Sequence, residues 1–257
     1  MSNTATVLAF DFGASSGRAI RAVYDGQNLT YEEIHRFENV PIEKDGHLCW
    51  DVETLLKEIH TAIQKAGTFD SLGFDTWGVD FGLLDTDGHL LANPVHYRDA
   101  RTNGKPEQAA ARMPAEELYA HTGNQIMAIN TLFQLLALRE QDPELLQKAA
   151  QILFMPDLFA ALLGAEPVCE RSIASTSQML DPRTGQWSRE VLTAYGLKEN
   201  HFAPLVASGT VTGTLTTGAK IIAVAGHDTQ CASAAMPCAE EDVEHTAFLS
   251  CGTWSLL

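Results

Sequence analysis

Val7-Leu8-Ala9-Phe10-Asp11-Phe12-Gly13-Ala14-Ser15-Ser16-Gly17-Arg18 is the stretch that decides how the chain begins to fold. An apolar run over residues 6–11 meets a glycine and serine cluster at 13–17, and extended sequence resumes over 18–24. Two such runs joined by a short glycine-containing turn predict a β-hairpin. A second turn at Asp25-Gly26 leads into residues 29–37, so three antiparallel strands are predicted before any helix. The segment lacks Gly-Lys-Ser/Thr, which excludes a P-loop, and no helix follows the glycines, which excludes a dinucleotide fingerprint. Its residue types still suit a phosphate. Glycines let the backbone come close, serines add donors, and a carboxylate at the strand end can hold a hydrated divalent cation. Alone, the stretch is better explained as an ordinary Gly/Ser turn.

Working outward, Asp51 is placed to cap a helix whose apolar positions Val52, Leu55, Leu56, Ile59 and Ile63 recur at helical spacing up to Gly67. Residues 69–74 return as a strand. Three strands, a helix and a strand resemble the opening of a ribonuclease-H-like, actin/hexokinase-type α/β domain: a mixed sheet flanked by helices, here with a helical insertion. The insertion is predicted from caps and periodicity over 105–112, 116–121, 131–139, 144–152 and 156–163. A turn near Asp181-Pro182 precedes a helix over 188–195. Strand signals return over 221–225, run into Gly226-His227-Asp228-Thr229 and give way to a small-residue helix over 230–235. A last strand is predicted over 246–250, entering Cys251-Gly252-Thr253-Trp254. The chain stops at Leu257 in apolar sequence, so we expect residues 1–244 to form one domain and 245–257 to begin a second.

Composition narrows the class of function. With 257 residues, 45% of them hydrophobic, the chain can bury a real core. A formal charge of −16 repels a phosphodiester backbone, and no Lys/Arg stripe overrides it, so nucleic acid is not an expected partner. The apolar run over 153–163 is broken by Pro156 and Asp157 and is far shorter than the roughly 20 residues of a bilayer span. No basic residue precedes the first apolar run as in a secretory signal, so the expected location is the cytoplasm. Five cysteines without a Cys-x-x-Cys pair read as buried reduced thiols. The histidines other than His227 show no metal-ligand spacing.

Four other constellations offer chemistry. Asp228 sits where a strand feeds a helix, and the helix dipole favours its ionised form by about 0.3–1 kcal/mol, which leaves it able to accept a proton. A plain helix-capping aspartate is the commoner account. Gly252-Thr253 after a strand repeats the logic of the first hairpin, with a tight turn as the ordinary alternative. Asp75-Thr76-Trp77-Gly78-Val79-Asp80 joins carboxylates, an aromatic face and a glycine, which suits a polyhydroxylated ligand, or else is a strand connection with Trp77 in the core. Tyr97-Arg98-Asp99-Ala100-Arg101-Thr102 reads as a surface salt-bridge cluster.

Taken in order and spacing, these segments resemble the FGGY carbohydrate kinases. The match runs through residues 11–18, Glu33-Ile34-His35-Arg36-Phe37, Trp50-Asp51-Val52, 75–81, 98–104, Met155-Pro156-Asp157, His227-Asp228-Thr229 and 252–256. The resemblance implies transfer of the ATP γ-phosphoryl group to the C1 hydroxyl of L-rhamnulose, with Asp228 as proton acceptor. It implies sugar contacts at Gly78, His227, Asp228 and Thr229, and ATP contacts at Ala14, Ser15, Ser16, Gly17, Arg18 and Thr253. Asp11 is similar to the family's magnesium-associated aspartate, so ATP and Mg²⁺ are the implied cofactors. The family's adenosine-binding segments are missing here. A kinase for another ketose or polyol, a sugar-binding fragment without turnover, and an actin- or chaperone-like ATPase remain as alternatives.

Overall fold

The computed structural model describes residues 4–251 and 255–256. The opening follows the sequence closely. Strands β1 (Ala5–Phe12), β2 (Ser16–Tyr24) and β3 (Leu29–Glu38) form an antiparallel meander, and helix α1 (Val52–Ala66) then crosses over β2 and β3 to β4 (Ser71–Thr76). Asp51 caps α1 as expected, with Oδ1 accepting from the Thr54 amide (3.2 Å) and Oδ2 from Thr54 Oγ1 (2.7 Å). Gly67, at φ +67°, ends it in the left-handed region that glycine enters without a Cβ clash.

β4 lies parallel to β1, as a strand returning through a helical crossover must. Strand β5 (Phe81–Leu84) follows, and the helical insertion contains α2 (Lys105–Ala109), α3 (Ala115–Thr122), α4 (Thr131–Gln141) and α5 (Pro143–Lys148). The helix expected over 144–152 stops early. Residues Gln151–Phe154 form β6, which pairs antiparallel with β5, because the wholly apolar run Ile152-Leu153-Phe154 buries more completely against a strand than on one side of a helix.

Helices α6 (Met155–Leu162), α7 (Arg171–Ser175) and α8 (Arg189–Tyr195) precede β7 (Thr210–Thr214) and β8 (Lys220–Ala223), and α9 (Asp228–Ala234) follows. The main sheet runs β7-β8-β4-β1-β2-β3, with β8, β4 and β1 parallel. Alternate residues Leu8, Phe10 and Phe12 of β1 are fully buried, and Phe12 stacks on Phe159 of α6 at 4.8 Å. The aromatic stack thus fixes the centre of the sheet against α6.

The strand expected over 246–250 is reduced to Ser250–Cys251, paired with Ser255–Leu256, and a 3₁₀ turn at Glu240–His245 precedes it. Leu249 is 60% exposed, so residues 246–249 lack the burial that would hold them in a sheet. The cluster at 97–102 is not a surface one. Asp99 accepts from His47 Nδ1 (3.1 Å) and the Leu48 amide (2.9 Å), and Arg101 Nη2 donates to Gln134 Oε1 (2.8 Å), joining the hairpin of residues 42–49 to α4. All five cysteines are unpaired, but only Cys49 and Cys169 are buried and Cys251 is exposed. Among the described residues no helix is long and apolar enough to cross a membrane.

Candidate functional site at the parallel strand ends

The carboxyl ends of the three parallel strands deliver the acidic side chains to one place. Asp11 and Asp75 are register partners on β1 and β4. β8 continues through Val224 and Ala225 to Gly226, whose carbonyl accepts the Thr76 amide at 2.9 Å, and His227 forms a parallel bridge with Thr76. Asp228 follows at once as the first residue of α9. In open α/β sheets, ligands gather outside such strand ends.

Burial, followed by the nearby charges of Asp11 and Asp228, pushes the Asp75 carboxyl up to about 8, and Arg18 offsets part of this. These three carboxylates therefore lie within electrostatic reach of one another, with Asp75 carrying a proton at neutral pH. Arg18 binds Asp11 through both Nε (2.7 Å) and Nη2 (2.5 Å), each to the single oxygen Oδ2.

The hairpin between β1 and β2 holds Ala14, Ser15 and Ser16 beside this cluster. Its carbonyls are tied to protein donors: Ser16 O accepts from the Gly13 amide (2.9 Å), Ser15 O from the Asn39 amide (3.0 Å) and Gly13 O from Asn39 Nδ2 (2.9 Å). Engaged carbonyls repel an approaching anion less than carbonyls turned to solvent. Gly17 is required by packing, since a Cβ there would lie 2.2 Å from the Phe37 ring. Asn39, buried at the end of β3, is a buttress that the sequence did not signal.

Asp228 does not act as a helix cap. Its Oδ1 accepts from the amide and hydroxyl of Thr229 (2.6 and 3.2 Å) and lies 3.4 Å from His227 Nε2. Burial holds the His227 imidazole below its usual pKa, offset in part by the charges of Asp228 and Glu170. Gly78 faces this imidazole: a Cβ at position 78 would lie 3.3 Å from His227 Nε2 and 3.1 Å from Thr176 Cγ2. Gly78, His227, Asp228 and Thr229 are therefore one cluster, although about 150 residues of chain separate the first from the rest.

Trp77 and Asp80 go elsewhere. Asp80 is fully buried, and its carboxylate accepts from Trp50 Nε1, Trp77 Nε1, the Tyr97 amide and Gln134 Nε2 at 2.7–3.1 Å. That half of the 75–80 motif is core, and only Asp75 and Gly78 reach the site. Between them and Asp80, Val79 sits at φ +70°, a strained conformation for a β-branched residue. Its amide donates to Thr176 Oγ1 (3.0 Å) and its carbonyl accepts from Thr131 Oγ1 (2.6 Å), so α4 and the end of α7 hold the strain in place. Thr176, like Asn39, carried no sequence signal. Thr253 and Gly252 lie outside the described residues.

The side chain of Asp228 is 44% exposed. A cavity of about 290 Å³ lined by Cys49, Phe81, Leu91, Arg101 and Leu138 lies away from these residues. Asp85, Asp87 and His89 also approach one another, but Asp87 and His89 are exposed and the half-buried Asp85 carboxylate is engaged by the Asp87 and His89 amides of its own turn.

The description "FGGY family of carbohydrate kinases, N-terminal domain" matches residues 6–234. A curated rhamnulokinase of Bacteroides thetaiotaomicron is 42% identical over 263 residues, covering 97% of this chain and 54% of its own length. The chain thus spans about half the length of that relative. Among solved structures, a gluconate kinase from Lactobacillus acidophilus superposes with a TM-score of 0.75 at 17% identity, over 86% of this chain and 48% of its own. A carbohydrate kinase from Novosphingobium aromaticivorans gives a TM-score of 0.75 at 19% identity, over 91% of this chain and 50% of its own. These two matches speak for the fold, which is the actin/hexokinase type expected from the strand order. From its match over residues 6–234, the chain belongs to the FGGY family of carbohydrate kinases.

Proposed function

We propose that the polypeptide carrying this chain transfers the γ-phosphoryl group of ATP to the C1 hydroxyl of L-rhamnulose in the cytoplasm, giving L-rhamnulose 1-phosphate and ADP. The observation that carries this reading is the meeting of Asp11, Asp75 and the Gly226–Thr229 turn at three adjacent parallel strand ends. Likeness to a rhamnulokinase supports the choice of sugar.

In this reading Gly78, His227 and Thr229 hold the sugar, and the absence of a Cβ at Gly78 leaves room beside the His227 ring. Asp228 accepts the proton of the C1 hydroxyl as its oxygen attacks the γ-phosphorus and the bond to ADP breaks. A positioned base of this kind contributes on the order of 10²- to 10⁴-fold. A neutral His227 beside Asp228 suits hydrogen bonding to a sugar hydroxyl. Ala14, Ser15, Ser16, Gly17 and Arg18 contact the ATP phosphates, and Thr253 contributes from the start of a second lobe at residues 245–257.

Asp11 is the residue to hold Mg²⁺. The donor set fits, because carboxylate oxygens are the ligands a hard divalent cation prefers, and both Arg18 bonds fall on one oxygen of Asp11. Bound with ATP, Mg²⁺ supplies charge neutralisation at the phosphates. Arg18 adds positive charge on the same side.

The test is Asp228→Asn, assayed by ADP release dependent on L-rhamnulose. We expect kcat to fall by at least about 100-fold with sugar binding nearly intact. Near-normal turnover refutes the assignment of the base. A panel of other ketoses and polyols in the same assay tests the choice of sugar. Because the chain covers 54% of its relative, a second reading is that residues 1–257 alone bind sugar and ATP weakly without turnover. Kinase activity from this chain by itself overturns that second reading.

A further inference from the structure

Glu170 is 1% exposed, and no step above uses it. Its Oε2 accepts four hydrogen bonds: from the amides of Ser172 (2.9 Å), Ile173 (3.2 Å) and Gly226 (3.1 Å), and from Ser172 Oγ (2.6 Å). Its Oε1 accepts from Ser208 Oγ at 2.6 Å. Ser172 Oγ in turn accepts from the His227 amide at 3.4 Å. The backbone of Glu170 is itself held, its amide donating to Asp157 Oδ2 of α6 at 3.1 Å.

Capping α7 explains only the bonds from Ser172 and Ile173, and a shorter Ser, Thr, Asp or Asn serves that purpose well. A buried carboxylate without a cationic partner is costly unless donors surround it. The extra methylene of glutamate extends one oxygen to Gly226, 56 residues further along the chain. Gly226 is pinned from the opposite side as well, because its carbonyl accepts the Thr76 amide of β4 (2.9 Å) and a Cβ there would lie 2.9 Å from Pro156. Gly226, the residue immediately before His227-Asp228, is therefore held at both its amide and its carbonyl.

We propose that Glu170 is the positioning residue of the reaction: by accepting the Gly226 amide directly and the His227 amide through Ser172, it sets the direction in which Asp228 leaves the sheet. The inference rests on Asp228 being the base, whereas the clamp can be measured without any turnover.

Glu170→Gln tests it with little change of shape. The amide oxygen can replace Oε2, Ser208 Oγ can turn to accept from the new amide nitrogen, and what disappears is the charge that strengthens every bond of the cluster. We expect hydrogen exchange at the Gly226 and His227 amides to accelerate roughly tenfold or more while Leu8 and Phe10 in β1 stay unchanged. In the full-length polypeptide, kcat should fall by roughly tenfold with KM altered less than about twofold. Ser172→Ala is the milder companion, expected to speed exchange at His227 much more than at Gly226. Unchanged exchange at 226 and 227 in Glu170→Gln overturns the proposal. So does a uniform acceleration that includes β1, which marks a merely structural role, and so does loosened exchange with normal kcat. Local acceleration in a protein whose wild type does not phosphorylate L-rhamnulose keeps the clamp and removes the assigned reaction instead.

Discussion

Replacing Asp80 by Asn changes one atom of the core, and the hydrogen-bond network leaves that atom no comfortable place. Oδ2 faces three donors, Trp50 Nε1, Trp77 Nε1 and the Tyr97 amide, so an amide nitrogen there meets three N–H groups. Oδ1 faces Gln134 Nε2, so the other orientation sets two amide nitrogens 2.8 Å apart. Gln134 cannot turn to relieve this, because its oxygen accepts from Arg101 Nη2 and its nitrogen donates to Ile129 O. Whichever group moves, at least one buried donor loses its acceptor, at about 1–3 kcal/mol, and the remaining bonds lose charge assistance. We expect Asp80→Asn to cost about 2–4 kcal/mol, or roughly 4–16 °C in Tm for a domain of this size. Thermal unfolding at pH 8 followed by tryptophan fluorescence is suitable, since Trp50 and Trp77 both touch the site. Burial pushes Asp80 up to about 6, so it is ionised at that pH. A Tm within about 1 °C of wild type refutes the account of a saturated, immobile network.

Gly17→Ala forces a Cβ to 2.2 Å from the ring of Phe37, which is itself packed edge-on against Phe12 at 5.3 Å. Overpacking of this kind costs about 1–3 kcal/mol, so the urea midpoint should drop, and an unchanged midpoint contradicts the packing argument. Asp75 has a folded pKa of about 8, above the unfolded value, so the folded state binds more protons between about pH 4 and 8. Unfolding free energy therefore falls as pH rises through that window and levels off above it. In chelator, Asp75→Asn should gain on wild type between pH 5 and 8.5 by on the order of a few kcal/mol, and parallel urea curves at both pH values dispose of the prediction.

Much of the candidate site was legible in the sequence because strand ends announce themselves. The hairpin of residues 11–18 and the Gly226–Thr229 turn are each a local change from apolar run to small polar residues, which a strand terminus produces whatever its neighbours. The 75–80 motif was only half legible. The strand ends at Thr76 and the chain then turns through Val79 at φ +70°, so Asp75 and Gly78 reach the site while Trp77 and Asp80 go into the core, and composition does not show where that turn falls. Asn39, Thr176 and Glu170 left no local trace, because each acts on residues from 26 to 97 positions away.

What the sequence determined by itself was the order of elements at the start: meander, capped helix and return strand follow from periodicity, Asp51 and Gly67, all short-range effects. Tertiary structure alone decided that residues 151–154 pair as a strand, that the 97–102 cluster is internal and that Asp11 stands level with Asp75. Register and burial are properties of partners far apart in the chain, and a carboxylate becomes a base, a metal ligand or a core acceptor according to which donors and charges those partners bring to it.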